Sequence, residues 1–345
     1  MRQLTFVRPR TLEWRDVPAP VLQGGGDALV RPIVSSTCDL DQAIVQGEWA
    51  LPGPFAIGHE CVAEVLEVSD AVSVRPGDIV AVTWHISCGQ CAVCRAGRSA
   101  FCSTTPATAS FGVPSGGAWG GLHDEVVRVP YTDAMLVGLP DDVDPVAAVS
   151  AGDNLAVPVE LIGSYLARSP GARILVLGRH GVGGGSIGLY GVDVALALGA
   201  SEVVYVDPDQ GRRAVAETFG AIVDPGPPRN ALGRFDLVYD CSTNGSALTA
   251  AIGLLAPHGA GVIESPWHFR PITLDMFPMY SRGVTLRTGM GNARAYLEPA
   301  LDLLAAHRID PSRVLGRPVP MDDADRALIE PSVKPVFIRD RSSVR

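Results

Sequence analysis

Arg173-Ile-Leu-Val-Leu-Gly178, then Gly183-Gly-Gly185-Ser-Ile-Gly188 opening an Ala/Leu/Val-rich helix to Leu198, then Glu202-Val-Val-Tyr-Val-Asp207: this stretch decides the fold. Strand, glycine cluster, helix and second strand in that order predict a parallel βαβ unit. In Gly183-x-Gly185-x-x-Gly188 the first glycine allows a tight turn and the second lets the backbone approach a pyrophosphate. The third lets helix pack on strand, while the helix N-terminus faces the phosphates. Gly183, Gly185, Ser186, Ile187 and Gly188 are therefore candidate cofactor-binding residues. Asp207 ends the next strand, where a carboxylate accepts hydrogen bonds from the adenosine ribose hydroxyls and repels a 2′-phosphate, which favours NAD over NADP. Arg212, at the start of the following helix, joins the cofactor-binding candidates. Taken alone, the fingerprint also reads as a plain glycine-rich turn. One irregularity stands out: the strand reads as ending at Gly178, leaving Arg179-His-Gly-Val182 as extra residues. The phosphate loop is thus enlarged, or starts earlier at Gly181 or Gly178. Arg179 and His180 either reach the pyrophosphate or form a solvated tip.

Working outward, the alternation continues through a helix near Gln210–Phe219, a strand at Phe235–Asp240, a helix at Ser246–Leu255 and a strand at Gly259–Glu264. That makes half or more of a doubly wound sheet. Upstream, short β-branched runs broken by Gly and Pro (Ala28–Val34, Cys61–Val68, Asp78–Val82, Glu125–Val129) predict an irregular β-rich domain. After Gly289, a helix at Ala293–His307 leads to a closing strand in Val333-Lys-Pro-Val-Phe-Ile338, a tail that returns to the first domain. The expected division is 1–155 with 290–345 for the β-rich domain and 156–289 for the nucleotide domain. At 345 residues the chain is about twice a typical domain, consistent with two.

Composition narrows the partners. Apolar runs such as Val192–Leu198 fall far short of the roughly 20 residues of a spanning helix. The first ten residues lack the apolar core of a secretory signal, so the expected location is the cytoplasm. A formal charge of −9 disfavours nucleic acid and anionic membrane surfaces as partners.

Four of the seven cysteines sit in Cys88-x2-Cys91-x2-Cys94-x7-Cys102. Four thiolates on one small lobe close a tetrahedral shell around zinc and leave no position for substrate, a structural role. An iron–sulfur cluster and free thiols are the alternatives. Cys38, the pair Gly58-His59-Glu60, and Asp153 supply a thiolate, an imidazole and carboxylates at loops or strand ends. Three such ligands would leave zinc a fourth position for water or an alcohol. Taken singly they also read as a buried thiol, a structural histidine and a surface aspartate.

The ordered set Cys38-x-x-Asp41, Gly58-His-Glu60, Pro76-Gly-Asp78-Ile-Val80, the four-cysteine lobe and the glycine fingerprint resembles the zinc-dependent medium-chain alcohol dehydrogenase family over essentially the whole chain. Val127–Pro140, Arg308-Ile-Asp-Pro-Ser312 and Lys334-Pro-Val336 are similar to its secondary-alcohol and glutathione-independent formaldehyde dehydrogenase branches. The resemblance implies an α/β architecture: a GroES-like catalytic domain from both chain ends, with an inserted Rossmann domain and the active site in the cleft. It implies Cys38, His59 and Asp153 as ligands of a catalytic zinc, Glu60 as an occasional ligand, and Asp41 as the group orienting His59. It also makes Cys88, Cys91, Cys94 and Cys102 a second, structural zinc site. The implied reaction moves hydride between NAD and a secondary alcohol, polyol or sugar-like hydroxyl, in a homodimer or homotetramer. A redox-neutral reaction on tightly held NAD and a silent zinc- and nucleotide-binding protein are the rival readings.

Two departures bear on rate. Leu40 stands where the family usually carries a hydroxyl that hands the proton on, and Ala43 supplies no histidine relay. The proton then travels by water or Glu60, or by His85 or His123, or the chemistry has changed. The threonine that usually follows the third ligand is replaced by Val157-Pro158. Trp49, Trp84, Trp119 and Trp267 are pocket or core candidates, and Cys61 and Cys241 read as buried packing residues.

Overall fold

The computed structural model describes residues 1–70, 72–264 and 271–340, so Trp267 lies outside the described residues. Two compact units divide the chain, Met1–Val157 with Asn292–Arg345, and Pro158–Gly291. The strands in chain order are β1 (Arg2–Arg8), β2 (Thr11–Asp16), β3 (Ala28–Ser36), β4 (Phe55–Ala56), β5 (Glu60–Val68), β6 (Ile79–Val82), β7 (Val127–Val129) and β8 (Leu136–Gly138). The second unit supplies β9 (Arg173–Leu177), β10 (Glu202–Val206), β11 (Ile222–Asp224), β12 (Phe235–Asp240), β13 (Leu255–Ile263) and β14 (Thr285–Thr288). The first unit then closes with β15 (Pro318–Pro320) and β16 (Val336–Ile338).

In the first unit, β15-β16-β3-β5-β6-β8 form one path, with β7 also paired to β3, and β2-β1-β4 make a smaller sheet. Ala28, Val30, Ala63, Val65, Val80, Val82 and Phe111 pack one core of this unit. Leu4, Phe6, Ile44, Ile57 and Phe337 pack another, tying the first and last strands together. Strand register, more than either core, positions the chemistry-bearing side chains. Ser36 at the end of β3 pairs with Glu60 at the start of β5 and with Val336 at the start of β16. Cys38, His59 and Lys334 all lie one or two residues beyond those paired positions, so three distant stretches arrive at one sheet edge.

The second unit is a six-stranded sheet in the order β11-β10-β9-β12-β13-β14, parallel at every pairing. Its central strand β9 reads Ile174-Leu-Val-Leu177 and is buried on both faces, the pattern of a strand covered by helices on each side. The order reverses between β9 and β12, which in such sheets marks the ligand crevice at the carboxyl ends of the strands. The helix Ser186–Ala197 covers the sheet with Leu189, Tyr190, Val192, Val194 and Ala195 buried.

Three local expectations change. The close approach of helix to strand falls at Gly191, where a Cβ would stand 2.8 Å from the Tyr239 ring; at Gly188 it would meet only ordinary contact at 3.5 Å. The helix read to Leu255 spans Gly245–Ile252, and Leu255 instead begins β13 beside β12. The strand Thr285–Thr288 was not anticipated, because its mostly exposed residues carry no apolar run.

Candidate metal centre and nucleotide site

Cys38 caps the helix Asp39–Gln46, and Asp41 at its third position reaches back, accepting the Cys38 N–H at 3.0 Å through Oδ2. The same carboxylate accepts the His59 Nδ1 proton at 2.7 Å through Oδ1. Asp41 therefore both starts the helix and fixes the imidazole, leaving Nε2 as the ring atom for a ligand. That Nε2 is buried and has no hydrogen-bond partner among the described residues. One candidate donor atom each of Cys38, Asp41 and His59, the last through either ring nitrogen, lies within 4.8 Å of the others. Because both Asp41 oxygens already accept hydrogen bonds, Cys38 Sγ and His59 Nε2 are the atoms left for an ion.

The carboxyl of Asp153 is not in that group of three, but it is buried and its charge acts on both Cys38 and His59. Glu60 is wholly buried and engaged elsewhere. Its Oε2 accepts from Ser150 Oγ at 2.9 Å and pairs with Lys334 Nζ at 2.5 Å, and its Oε1 accepts the Asn154 N–H at 3.2 Å. Lys334, also buried, donates to the Thr37 carbonyl at 2.7 Å. Burial, then the charges of Asp41, Asp153 and Glu60, push the Cys38 thiol well above its ordinary value. Burial, then the Glu60 charge, pushes Asp153 up to about 8. For His59, burial favours the neutral ring, but the charge and hydrogen bond of Asp41 outweigh it and raise the pKa. Burying a thiol and three carboxyls beside one lysine and one imidazole is costly, and a bound cation would relieve that cost. Together with the orphaned Nε2, this donor set fits zinc.

Cys88, Cys91, Cys94 and Cys102 bring their sulfurs within 4.8 Å of one another, and all are free thiols. Backbone N–H groups of Gln90 and Cys91 point at Cys88 Sγ, at 3.4 and 3.3 Å, and that of Cys94 at Cys91 Sγ, at 3.4 Å. Such donors favour thiolates. A hydrogen bond from Ser103, helped by the Cys94 N–H, pulls Cys91 down to about 5. The lobe thus fits a closed four-sulfur zinc site.

In the second unit, Gly183, Gly184 and Gly185 have φ of +67°, +67° and +99°, a left-handed run only glycine adopts without strain. They lead into the buried Ser186 and the partly covered Ile187, which open the helix. The loop before it is enlarged: β9 ends at Leu177 and the helix starts at Ser186. Arg179 and Arg212 are both buried in it. Arg179 is thus no solvated tip, whereas His180, hydrogen-bonded at 3.0 Å to Asn244, stays exposed. Asp207, wholly buried at the end of β10, accepts from the Tyr205 hydroxyl, the Asp209 N–H and the Arg212 guanidinium.

Residues 24–141 match the alcohol dehydrogenase GroES-like domain and residues 186–306 the zinc-binding dehydrogenase domain. The chain belongs to the zinc-dependent alcohol dehydrogenase family. A probable zinc-binding alcohol dehydrogenase of Mycobacterium tuberculosis is 27% identical over 89% of this chain and 79% of its own length. The glutathione-independent formaldehyde dehydrogenase of Bacillus subtilis is 31% identical, but the match spans 56% of this chain and about half (48%) of that relative. Among solved structures, the alcohol dehydrogenase TADH of Thermus sp. ATN1 superposes with a TM-score of 0.84 at 27% identity, over 99% of this chain and 100% of that one. A zinc-binding dehydrogenase of Sinorhizobium meliloti bound to NADP gives 0.79 at 26%, over 98% of both chains.

The chain is an oxidoreductase of this family, and the positions expected to carry its proton relay hold no relay group. Leu40 packs with a hydrophobic cluster and Ala43 is buried, so neither offers a hydroxyl. His123 is buried, its Nδ1 bonded to Ser35 Oγ at 2.6 Å, and burial pulls it down to about 4. His85 stacks on Trp84 at 3.6 Å, and Trp84 stands edge-on to His59 at 5.3 Å. Among the described residues, Trp84 is therefore the tryptophan that stands beside His59, while Trp49 and Trp119 pack against cores. Cys61 and Cys241 are buried packing residues, as read from sequence. Ser150, Asn154 and Lys334, the partners of Glu60, escaped sequence reasoning. The one available signal was a lysine set inside the apolar run Val333–Ile338.

Proposed function

We propose that this chain holds two zinc ions and binds NAD, and that it moves hydride between the nicotinamide and a secondary alcohol, polyol or sugar-like hydroxyl. The observation that carries this reading is the buried Cys38–Asp41–His59 group with an unpartnered His59 Nε2. Cys38 and His59 hold the catalytic ion, with Asp153 as the third ligand on the strength of its burial and its charge coupling to both. When bound, zinc supplies Lewis-acid polarisation of the substrate oxygen and NAD accepts the hydride. Asp41 keeps the proton on His59 Nδ1. Lys334, Ser150 and Asn154 hold Glu60 as a paired carboxylate, so the reading of Glu60 as a ligand requires that pair to open. The cysteine lobe serves structure.

The cytoplasm is the proposed location. All seven cysteines are free thiols, and among the described residues no helix is long and apolar enough to cross a membrane. The assembly we propose is a homodimer or homotetramer built on the outer edge of β14, next to the exposed Met276, Phe277 and Tyr280. Neutral small alcohols and carbonyls, not nucleic acid or membranes, are the proposed partners. Leu40 keeps a silent zinc- and nucleotide-binding protein as the second reading. Formation of NADH across a panel of secondary alcohols and polyols separates the two: turnover supports the dehydrogenase, and two zincs with bound NAD but no turnover on any member supports the silent protein.

A further inference from the structure

The four acceptor positions of the Asp207 carboxylate are all taken by protein donors. Oδ1 accepts the Asp209 N–H at 2.7 Å and Arg212 Nη2 at 3.0 Å; Oδ2 accepts the Tyr205 hydroxyl at 2.6 Å and Arg212 Nε at 2.7 Å. The carboxylate has no exposed surface, and a Cβ on Gly178 would stand 2.0 Å from Oδ2. The backbone at the start of the glycine loop therefore lies directly on it. Arg212 continues the tie. Its Nη2 also donates to the Arg179 carbonyl at 2.6 Å and its Nη1 to the Gly184 carbonyl at 3.4 Å. Its Cδ fills the space that a Cβ on Gly185 would need, 2.5 Å away. Arg179 closes the figure by donating Nε to the Gly183 carbonyl at 2.9 Å.

We propose that Asp207 is a positioning residue in this chain and not a ribose ligand. With Arg212 it forms one clamp that fastens the enlarged loop 178–185 to the end of β10 and so shapes it for the phosphates of the dinucleotide. The proposal rests on the nucleotide reading of the second unit. It assigns Asp207 no part in telling a 2′-hydroxyl from a 2′-phosphate, because a sealed and saturated carboxylate offers neither a lone pair to the ribose nor an open field to a phosphate. An enlarged loop without such a fastening would sample many shapes, and ordering it would then fall on the ligand.

The test compares Asp207→Asn, Arg212→Gln, the double variant and Arg212→Lys with the parent chain, all zinc-loaded. Dissociation constants for NADH and NADPH come from fluorescence titration, and amide hydrogen exchange over 178–185 is followed without nucleotide. The clamp predicts that each single change weakens both nucleotides by about 10- to 100-fold, the scale of losing a positioning contact. The NADH/NADPH ratio stays within about threefold, and the double variant is no worse than either single, as for residues acting as a unit. Loop exchange accelerates in the free protein, and Arg212→Lys, which keeps the charge but not the fork, falls between. A ratio that moves tenfold or more toward NADPH in Asp207→Asn, with loop exchange unchanged, overturns the proposal. Should Asp207→Asn not fold, Arg212→Lys and Arg212→Gln decide by the same ratio. If the parent chain binds neither nucleotide, the dinucleotide reading fails, while the exchange arm still decides the clamp.

Discussion

At Gly58 the backbone turns with φ +112°, and a Cβ there would stand 2.5 Å from the His123 ring. Strain and collision act together immediately before His59, so Gly58→Ala is expected to lower stability by at least about 2 kcal/mol in urea titration. Unchanged stability would mean that the ring has room to move. Leu40 makes the opposite kind of test. Leu40→Ser places a hydroxyl one residue before Asp41, and kcat for alcohol oxidation is expected to rise about tenfold, at the low end of what positioned proton transfer supplies. An unchanged kcat and pH profile would show that the proton leaves by another route. Cys38 and His59 stood out in the sequence through the family resemblance that Cys-x-x-Asp and Gly-His-Glu help to carry, and the fold brings the two side chains together. Lys334 was not, since its role depends on a strand register that joins residues from opposite ends of the chain.

Elements bring those residues together. The edge where β3, β5 and β16 meet carries Cys38, Glu60 and Lys334, and the Glu60–Lys334 pair fastens it. Lys334→Met would leave a buried carboxylate unpaired, a change of about 3–5 kcal/mol in unfolding free energy. Adding Glu60→Leu should recover much of that loss. A single variant as stable as the parent would deny the pair its structural part. On β14, the neighbouring helix Met276–Arg282 exposes Phe277 and Tyr280, at 76% and 84% of their surface. Phe277→Glu with Tyr280→Glu is expected to shift the assembly to smaller species by light scattering, and an unchanged mass would place the interface elsewhere. The parallel sheet was readable because its strands are continuous apolar runs between glycine and helix signals. β14 escaped because an exposed edge strand lacks that run.

Over the whole molecule, the glycine fingerprint marked out the nucleotide unit, the cysteine spacing one candidate metal group and the family resemblance a second, and the structure supplied what spacing cannot hold. It showed Asp41 serving both helix and imidazole, Glu60 tied to Lys334, and Asp207 turned inward onto Arg212. All three depend on side chains meeting across the fold. In the function proposed, Cys38 and His59 hold a zinc ion distinct from that of the cysteine lobe, and alcohol oxidation depends on it. Zinc content and alcohol-dependent NADH formation, measured on the same preparations of the parent chain and Cys38→Ser, test it most directly. Two zincs per chain are expected in the parent and one in Cys38→Ser, with NADH formation lost and the lobe ion retained. Two zincs remaining in Cys38→Ser, or alcohol oxidation undiminished, would contradict it.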